Sequence, residues 1–470
     1  MSGAAGDNGG ADRALEALTA CVREGDGLAS DAAAVHQCKR RVIDTMACAL
    51  GAYPAEPSRI ARAVAFANGG TAGGCVLGTR RRTSPELAAF ANSVMGRYLD
   101  GNDTYPGGGG HPSDMIGGLL ALATDRDASG RALLEAIVVG YEVYHALFAA
   151  TRLRQHGLDN VYYTAVGVAA GGARLLALPE PGIRNAISLA ATPNLALEAT
   201  RRGKLSMWKG AAAGNAARNG VFAALLAEAG MTGPDKPFED EKGLRGLVGD
   251  FAVGSADAPR AVTRSSMKYF LSEYHSQSPI TAMLELLPRL RAEEVETIDV
   301  YTDRFTWYEI GSEPEKWRAT TRETADHSLP YILSSVLLAG RFGDELFDAP
   351  WLADPRVPAL CDRIRVHERP EYTARFPAAI PCEIVVATKS GQRHDVRIEY
   401  PRGHVGNPMS DAEVDDKFRI LAGRVLAPDR VAPALDALWR LDEAERVSDV
   451  AALLATAAHE DGNDDSREER

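Results

Sequence analysis

At 470 residues the chain exceeds the usual size of one hydrophobic core, which implies two domains with a large buried interior. A formal net charge of −12, from 64 acidic against 52 basic residues, argues against nucleic acid as a partner, because a phosphate backbone is held by clustered Lys and Arg. No apolar run reaches the roughly 18 residues that suggest a membrane span, and the opening MSGAAGDNGG lacks the basic and apolar segments of a signal peptide, so a soluble, cytoplasmic protein is expected.

From about Ala11 to about Gly230 apolar residues recur at helical spacing, in segments broken by Gly, Pro and Asp. RVIDTMACALGA (41–52), SPELAAFANSVMGRYLD (84–100), ALLEAIVVGYEVYHALFAATRL (132–153) and KGAAAGNAARNGVFAALLAEAG (209–230) each predict a helix. In the last, Ala212, Ala216, Gly220 and Ala224 fall on one i, i+4 row, which lets a neighbouring helix approach closely. After about Ser265 the pattern turns β-rich. VETIDVYTDRFTWYE (295–309) and PCEIVVATKSGQRHDVRIEY (381–400) read as strands, the second pair joined by a Ser-Gly turn. The expected fold is mainly α, with a large all-helical domain over 1–265 and a smaller α+β domain over 266–405. Residues 406–460 are expected to return to the helical domain, and the charged tail 461–470 to be disordered.

The six cysteines, at 21, 38, 48, 75, 361 and 382, form no CxxC pair and have no histidine at finger spacing, so they read as reduced, buried thiols and not as zinc or iron-sulfur ligands. GxxxxGK[ST], a strand-bounded GxGxxG, HExxH and GxSxG are missing as well, which leaves acid and base work by side chains.

Four segments carry groups for that chemistry. DGNDTYPGGGGHPSD (100–114) sets four glycines between a carboxylate cluster and a histidine, ahead of a helix that Ser113 or Asp114 would cap. That helix start offers N–H groups and positive charge to a carboxylate; an ordinary flexible loop is the alternative. In RRGKLSMWKG, Lys209 opens a long helix with Ser206 as its cap. A cation there faces the positive end of the dipole, which an adjacent anion would explain, and Lys204, Arg201 and Arg202 add charge. SSMKYFLSEYHSQSP places Lys268 and His275 at the inferred domain junction. In RETADHSLPYILSSVLLAG, Thr324 or Asp326 would cap a helix on which His327 and Tyr331 are i, i+4 neighbours, so that a Tyr hydroxyl could hold or pass a proton.

Taken in order, DGNDTY and HPSD (100–114), GLDNVYYTAVG (157–167), SMWKGAAAGNAARNGVFAALLAEAGMTGP (206–234), EYHSQS (273–278), EIGSEPEKW (309–317), RETADHSLPYI (322–332) and GHVGNPMSDAEVDDKFR (403–419) resemble the MmgE/PrpD family of 2-methylcitrate dehydratases and cis-aconitate decarboxylases. The resemblance covers about 20 to 430. It implies a cofactor-free lyase, a homodimer, and a site between the helical domain and an α+β lid. The decarboxylase branch's active-site motif maps onto Asp100, Thr104, His111, Lys209, His275 and Tyr331, although the loop from Thr104 to His111 is about a residue longer than in the animal decarboxylase. The resemblance to the dehydratase branch, in EIGSEPEKW, RETADHSLPYI and GLDNV, points to dehydration of 2-methylcitrate or citrate and to propionate metabolism. The alternatives are decarboxylation of cis-aconitate and isomerisation of a related polycarboxylate.

On this reading His111 and His275 are the acid and base candidates, with their roles left open, and Lys209 neutralises a carboxylate while Asp100, Thr104 and Tyr331 orient the substrate. Asp103, Gly108, Gly109, Ser206, Lys204, Lys268 and His327 are expected to bind the substrate. Gly108 and Gly109 would let it lie against bare backbone. No metal or cofactor is expected.

Overall fold

The computed structural model describes residues 10–24, 31–67, 70, 72–108, 110–254 and 260–456; Gly109 and the tail 461–470 lie outside the described residues. The fold is mainly α and is organised by two apolar cores. The first gathers helices Arg13–Arg23, Ala32–Gly51, Pro85–Tyr98, Ile116–Asp125, Gly130–Ala150, Val161–Leu175 and Glu180–Ala191. Residues after the second unit return to it: Met409, Val414, Phe418, Leu421, Leu435, Leu438 and Val450 are buried in the same core.

Helix starts follow side-chain chemistry where a cap is present. Asp12, Asp31 and Ser129 accept from the backbone N–H groups of Leu15, Ala33 and Ala34, and Ala132. Helix Gly130–Ala150 has the length and mean hydropathy of a membrane span, which the run-length reading missed, but 67% of its most apolar stretch is buried inside the protein. Helix Trp208–Glu228 packs against Pro85–Tyr98 and Val161–Leu175. Its small residues allow this: a Cβ on Gly214 would sit 2.7 Å from the Phe90 carbonyl oxygen, and one on Gly220 2.5 Å from that of Ala165.

The second unit holds a four-stranded sheet of order β4-β3-β5-β6, counted after a two-residue hairpin pair, β1 (Gly74–Cys75) and β2 (Arg82–Thr83). β3 (Val295–Thr302) runs parallel to β4 (Ile364–Glu368) and antiparallel to β5 (Cys382–Thr388), which pairs with β6 (Arg393–Ile398). Gly391, at φ +83°, sits in the turn between β5 and β6. Ile298, Val300, Ile384 and Val386 meet Ile280, Met283, Ile332 and Val336 of helices Gln277–Leu286 and Leu329–Ala339 in the second core.

Several expected boundaries shift. The strand expected over 295–309 ends at Thr302, because Asp303 accepts from the N–H groups of Phe305 and Thr306 and starts a helical turn. That turn continues into a π-helical turn, Trp307–Gly311. Ser113 and Asp114 do not cap the helix after the glycine loop; both lie inside a 3-10 turn, Pro112–Met115. Met207, and not Ser206, precedes helix Trp208–Glu228. Ser328, and not Thr324 or Asp326, caps Leu329–Ala339 by accepting from Tyr331 N–H.

Candidate active site

A cleft between the two units is lined by Arg97, Gly110, His111, Asp114, Tyr144, Arg154, Asp159, Asn160, Arg201, Glu273, His275, Glu309 and His327, among others. It is built from the loop that follows helix Pro85–Tyr98. Asp100, at φ +52°, turns its carboxylate back under the helix end, where Oδ1 accepts from Arg97 Nη1 at 2.6 Å and from Lys268 Nζ. Lys268 Nζ also donates to the Asp100 carbonyl oxygen at 2.8 Å. Burial opposes the charge of Asp100, but Arg97, Lys268 and Lys209 hold its carboxyl well below the usual carboxylate range.

The rest of the loop is tied by its own polar side chains. Asn102 Nδ2 donates to Ser113 Oγ and to Asp114 Oδ1, while Asp103 accepts from Ser113 N–H and from the Tyr141 hydroxyl. Asp103 therefore serves as a strut of the loop. Thr104 exchanges both backbone hydrogen bonds with Ser266, behind the cleft. Gly107 and Gly110 serve the chain's own packing. Gly107 has φ +104°, and a Cβ on Gly110 would sit 2.5 Å from the Tyr144 hydroxyl. Gly108 needs neither; its carbonyl accepts from Asn160 Nδ2 at 2.9 Å, and a Cβ there would meet only the Phe148 ring at 3.3 Å.

Three histidines reach the cleft in different electrostatic states. His111 has both nitrogens engaged, Nδ1 with the Asp103 carbonyl at 2.8 Å and Nε2 with Arg97 Nη2 at 3.0 Å. A guanidinium can only donate and a carbonyl only accept, which fixes the Nδ1–H tautomer. Burial and Arg97 push its pKa far down, so it is neutral with its lone pair occupied. His275 has Nδ1 2.8 Å from Glu273 Oε1, and Glu273 Oε2 accepts its backbone N–H. Burial opposes the imidazolium, but Glu273 raises His275 to about 9. Burial likewise opposes the Glu273 carboxylate, which His275 lowers to about 2. His327 has Nδ1 2.8 Å from Asp326 Oδ1 and Nε2 3.5 Å from Asp100 Oδ2. Burial and Lys209 push it down, leaving it neutral. With Nδ1 beside Asp326 Oδ1, an acceptor, and Lys209 Nζ 3.4 Å away, Nδ1–H is donated to Asp326, and Nε2, beside Asp100 Oδ2, is the nitrogen left to take a proton.

Lys209 has its expected anion, but the anion belongs to the protein. Its ammonium donates to both oxygens of Asp326 at 2.8 Å and lies 3.8 Å from Asp100 Oδ2. It is 1% exposed, is not among the residues that line the cleft, and has His327 Nδ1 3.4 Å away. Lys268 is likewise committed to Asp100, beneath the floor. Lys204 and Ser206 are exposed and are not among the residues that line the cleft. Tyr331 is turned into the second core, where its hydroxyl donates to the Leu346 carbonyl at 2.8 Å. His327 lies before the cap Ser328, so the i, i+4 relation expected of His327 and Tyr331 does not exist.

The site also holds groups given no catalytic or substrate-binding role from the sequence. Asp114, pushed up to about 7 by burial, is a carboxyl that can carry its proton near neutrality. Arg201 is held by Asp159 (Nε–Oδ2 2.8 Å) and Arg154 by Glu198 and Glu309. Arg97, Glu273, Glu309 and Asp326 all fall inside the quoted segments, and the pairs Glu273-x-His275 and Asp326-His327 were the available signal. Asp100, Asp326 and His327 bring ligand-type atoms within 4.8 Å of one another. Lys209, Lys268 and Arg97 already match those carboxylates, so a divalent ion would find no anionic deficit there.

Residues 19–251 match the MmgE/PrpD N-terminal domain and residues 270–442 the MmgE/PrpD C-terminal domain. A 2-methylcitrate dehydratase of Escherichia coli (strain K12) is 30% identical over 426 residues, 83% of this chain and 85% of that protein. A 2-methylcitrate dehydratase of Cupriavidus necator is 30% identical over 418 residues, 80% of this chain and 82% of its own length. The human cis-aconitate decarboxylase is 25% identical over 395 residues, 79% of this chain and 80% of that protein.

Proposed function

Because the chain belongs to the MmgE/PrpD family, we propose that it is a cofactor-independent lyase that dehydrates a small tricarboxylate, 2-methylcitrate or citrate, to the cis-aconitate-type alkene. What carries this reading is the placement of two histidines on one cleft in opposite electrostatic surroundings: His275 has Nδ1 2.8 Å from Glu273 Oε1, which favours its charged form, and His327 lies beside Lys209, which with burial disfavours the charge. Elimination of water needs such a pair, a base for the proton beside a carboxylate and an acid for the departing hydroxide.

His327 Nε2 takes the proton. The imidazolium that results stands between Asp326 and Asp100, so its charge is met without rearrangement. The electron pair of the broken C–H bond forms the alkene, the C–O bond breaks, and the hydroxide leaves as water with the proton of His275. Glu273 keeps that proton available near neutral pH. His111, whose lone pair is held by Arg97, orients that arginine toward the cleft. Lys209 and Lys268 set the charges of Asp326 and Asp100 from behind. General acid or base assistance is worth about 10²–10⁴ in rate, so loss of either histidine should cripple turnover. The reading includes a cytoplasmic homodimer working in propionate metabolism.

The test is to incubate purified protein with 2-methylcitrate, citrate and cis-aconitate and to follow the ultraviolet absorbance of the conjugated alkene. A rise with 2-methylcitrate or citrate supports dehydration. A fall with cis-aconitate accompanied by release of carbon dioxide would favour the decarboxylase reading, and a flat trace with all three would remove the lyase.

A further inference from the structure

Most cations around the cleft are already matched by buried carboxylates: Arg201 by Asp159, Arg97 and Lys268 by Asp100, and Lys209 by Asp326. A tricarboxylate entering this site brings three further negative charges, which favours release of an internal carboxylate from one of these cations. Arg154 is where that can happen. It holds two carboxylates: Glu198 at 3.2 Å from the helical unit, and Glu309 from the sheet-bearing unit, with Nη1–Oε1 at 2.7 Å and Nη2–Oε2 at 3.1 Å. The second contact is the two-pronged guanidinium–carboxylate pairing by which an arginine receives a ligand carboxylate.

The segment that delivers Glu309 sits at the rim. Glu309 lies in the π-helical turn Trp307–Gly311, and Phe305, Trp307 and Tyr308 beside it are 44%, 38% and 40% exposed. Turns of this kind interrupt regular hydrogen bonding and occur often at functional sites. Asp159, Asp100 and Asp326, by contrast, are each at least 95% buried. The two carboxylates on Arg154, Glu309 and Glu198, are the partly exposed ones, with side chains 19% and 15% exposed, and of the two Glu309 is the one carried by the π-helical turn of the opposite unit.

The geometry points to Arg154 as the seat of one substrate carboxylate, with Glu309 as the internal carboxylate that holds that seat before substrate arrives and is displaced by it. The inference rests on the polycarboxylate reading above and adds a residue that binds and a residue that competes. Arg154 stays anchored by Glu198 throughout, so the exchange replaces one partner and leaves no bare charge. The observed affinity is then a difference between the substrate carboxylate and Glu309 on the same guanidinium, which sets substrate affinity without touching the reacting atoms.

The experiment is calorimetric titration of the full chain with tricarballylate (propane-1,2,3-tricarboxylate), which has no hydroxyl to lose. Glu309→Gln should bind about tenfold tighter than the parent, the scale of one hydrogen bond to a charged group. Arg154→Gln should bind about tenfold weaker, with Arg154→Lys, which keeps the charge and loses the fork, in between. In the double variant the gain from Glu309→Gln should vanish. Parent-like or weaker binding by Glu309→Gln, with the parent itself binding, overturns the exchange and leaves the polycarboxylate reading standing. If neither parent nor Glu309→Gln binds any tricarboxylate, the polycarboxylate reading fails and the exchange fails with it.

Discussion

Glu273→Gln isolates the electrostatic half of the mechanism, because it keeps the shape of the side chain and removes the charge that holds the proton on His275. In the parent, His275 at about 9 is about 97% protonated at about pH 7.5. Without Glu273 the main opposition to burial is gone and only Asp303 and Glu309 still favour the charge, so the pKa should fall toward the ordinary 6.5 or below. At 6.5 about 9% of the molecules retain the acid at about pH 7.5, so kcat/KM there should drop about tenfold or more. Below about pH 5.5 the two proteins should converge, which a loss of folding would not produce. Stability follows the same group. His275 is raised in the folded state, so its contribution is complete below 6.5 and is lost as pH rises through about 9. The assay is kcat/KM for 2-methylcitrate across pH 5 to 10, with Tm recorded at each pH as the control. An alkaline limb that stays near 9 in Glu273→Gln would refute the assignment of His275 as the acid.

Lys209→Met should lower Tm markedly, because breaking a buried pair and leaving Asp326 uncompensated costs about 3–5 kcal/mol; it also removes a group that lowers His327, so the acid limb of the pH profile should move up, and an unchanged Tm with an unchanged limb would contradict the part given to the Lys209–Asp326 pair. Tyr331→Phe should keep kcat/KM near the parent value and cost about 1 kcal/mol in stability, measured by urea unfolding, since its hydroxyl serves the Leu346 carbonyl; a hundredfold loss of turnover would restore Tyr331 to the site. Gly110→Ala should reduce both Tm and kcat/KM by forcing a Cβ against the Tyr144 hydroxyl, whereas Gly108→Ala, facing the movable Phe148 ring, should leave both nearly unchanged; the reverse order would contradict the packing account of the glycine run.

Much of the fold could be read from period and punctuation. Helices 32–51, 85–98, 130–150 and 208–228 carry the apolar spacing seen in the sequence, and Ser390-Gly391 marks the β5–β6 turn. Helix starts were less legible, because capping competes with backbone routes that no single residue type announces: Asp114 turned to Asn102, and Asp326 to Lys209 and His327. In the site, polar residues next to one another along the chain diverge in space. Lys204 and Ser206 are exposed while Lys209, one helical turn on, is buried. His327 and Tyr331 are separated by the cap Ser328 and face different units. Two arginines of the cleft, Arg97 and Arg154, were missed for another reason. Arg97 lies in the last turn of a helix read only for its apolar spacing, and Arg154 and Glu309 meet only because the two units close on each other, at a sequence separation no local pattern encodes.

The most direct measurement is an NMR time course of purified protein with 2-methylcitrate, followed by product identification. The account predicts loss of water and accumulation of the conjugated tricarboxylate alkene, at a rate that falls by at least about a hundredfold in both His275→Gln and His327→Gln. Unchanged 2-methylcitrate and citrate beside loss of carbon dioxide from cis-aconitate, or full activity in either histidine variant, would contradict it.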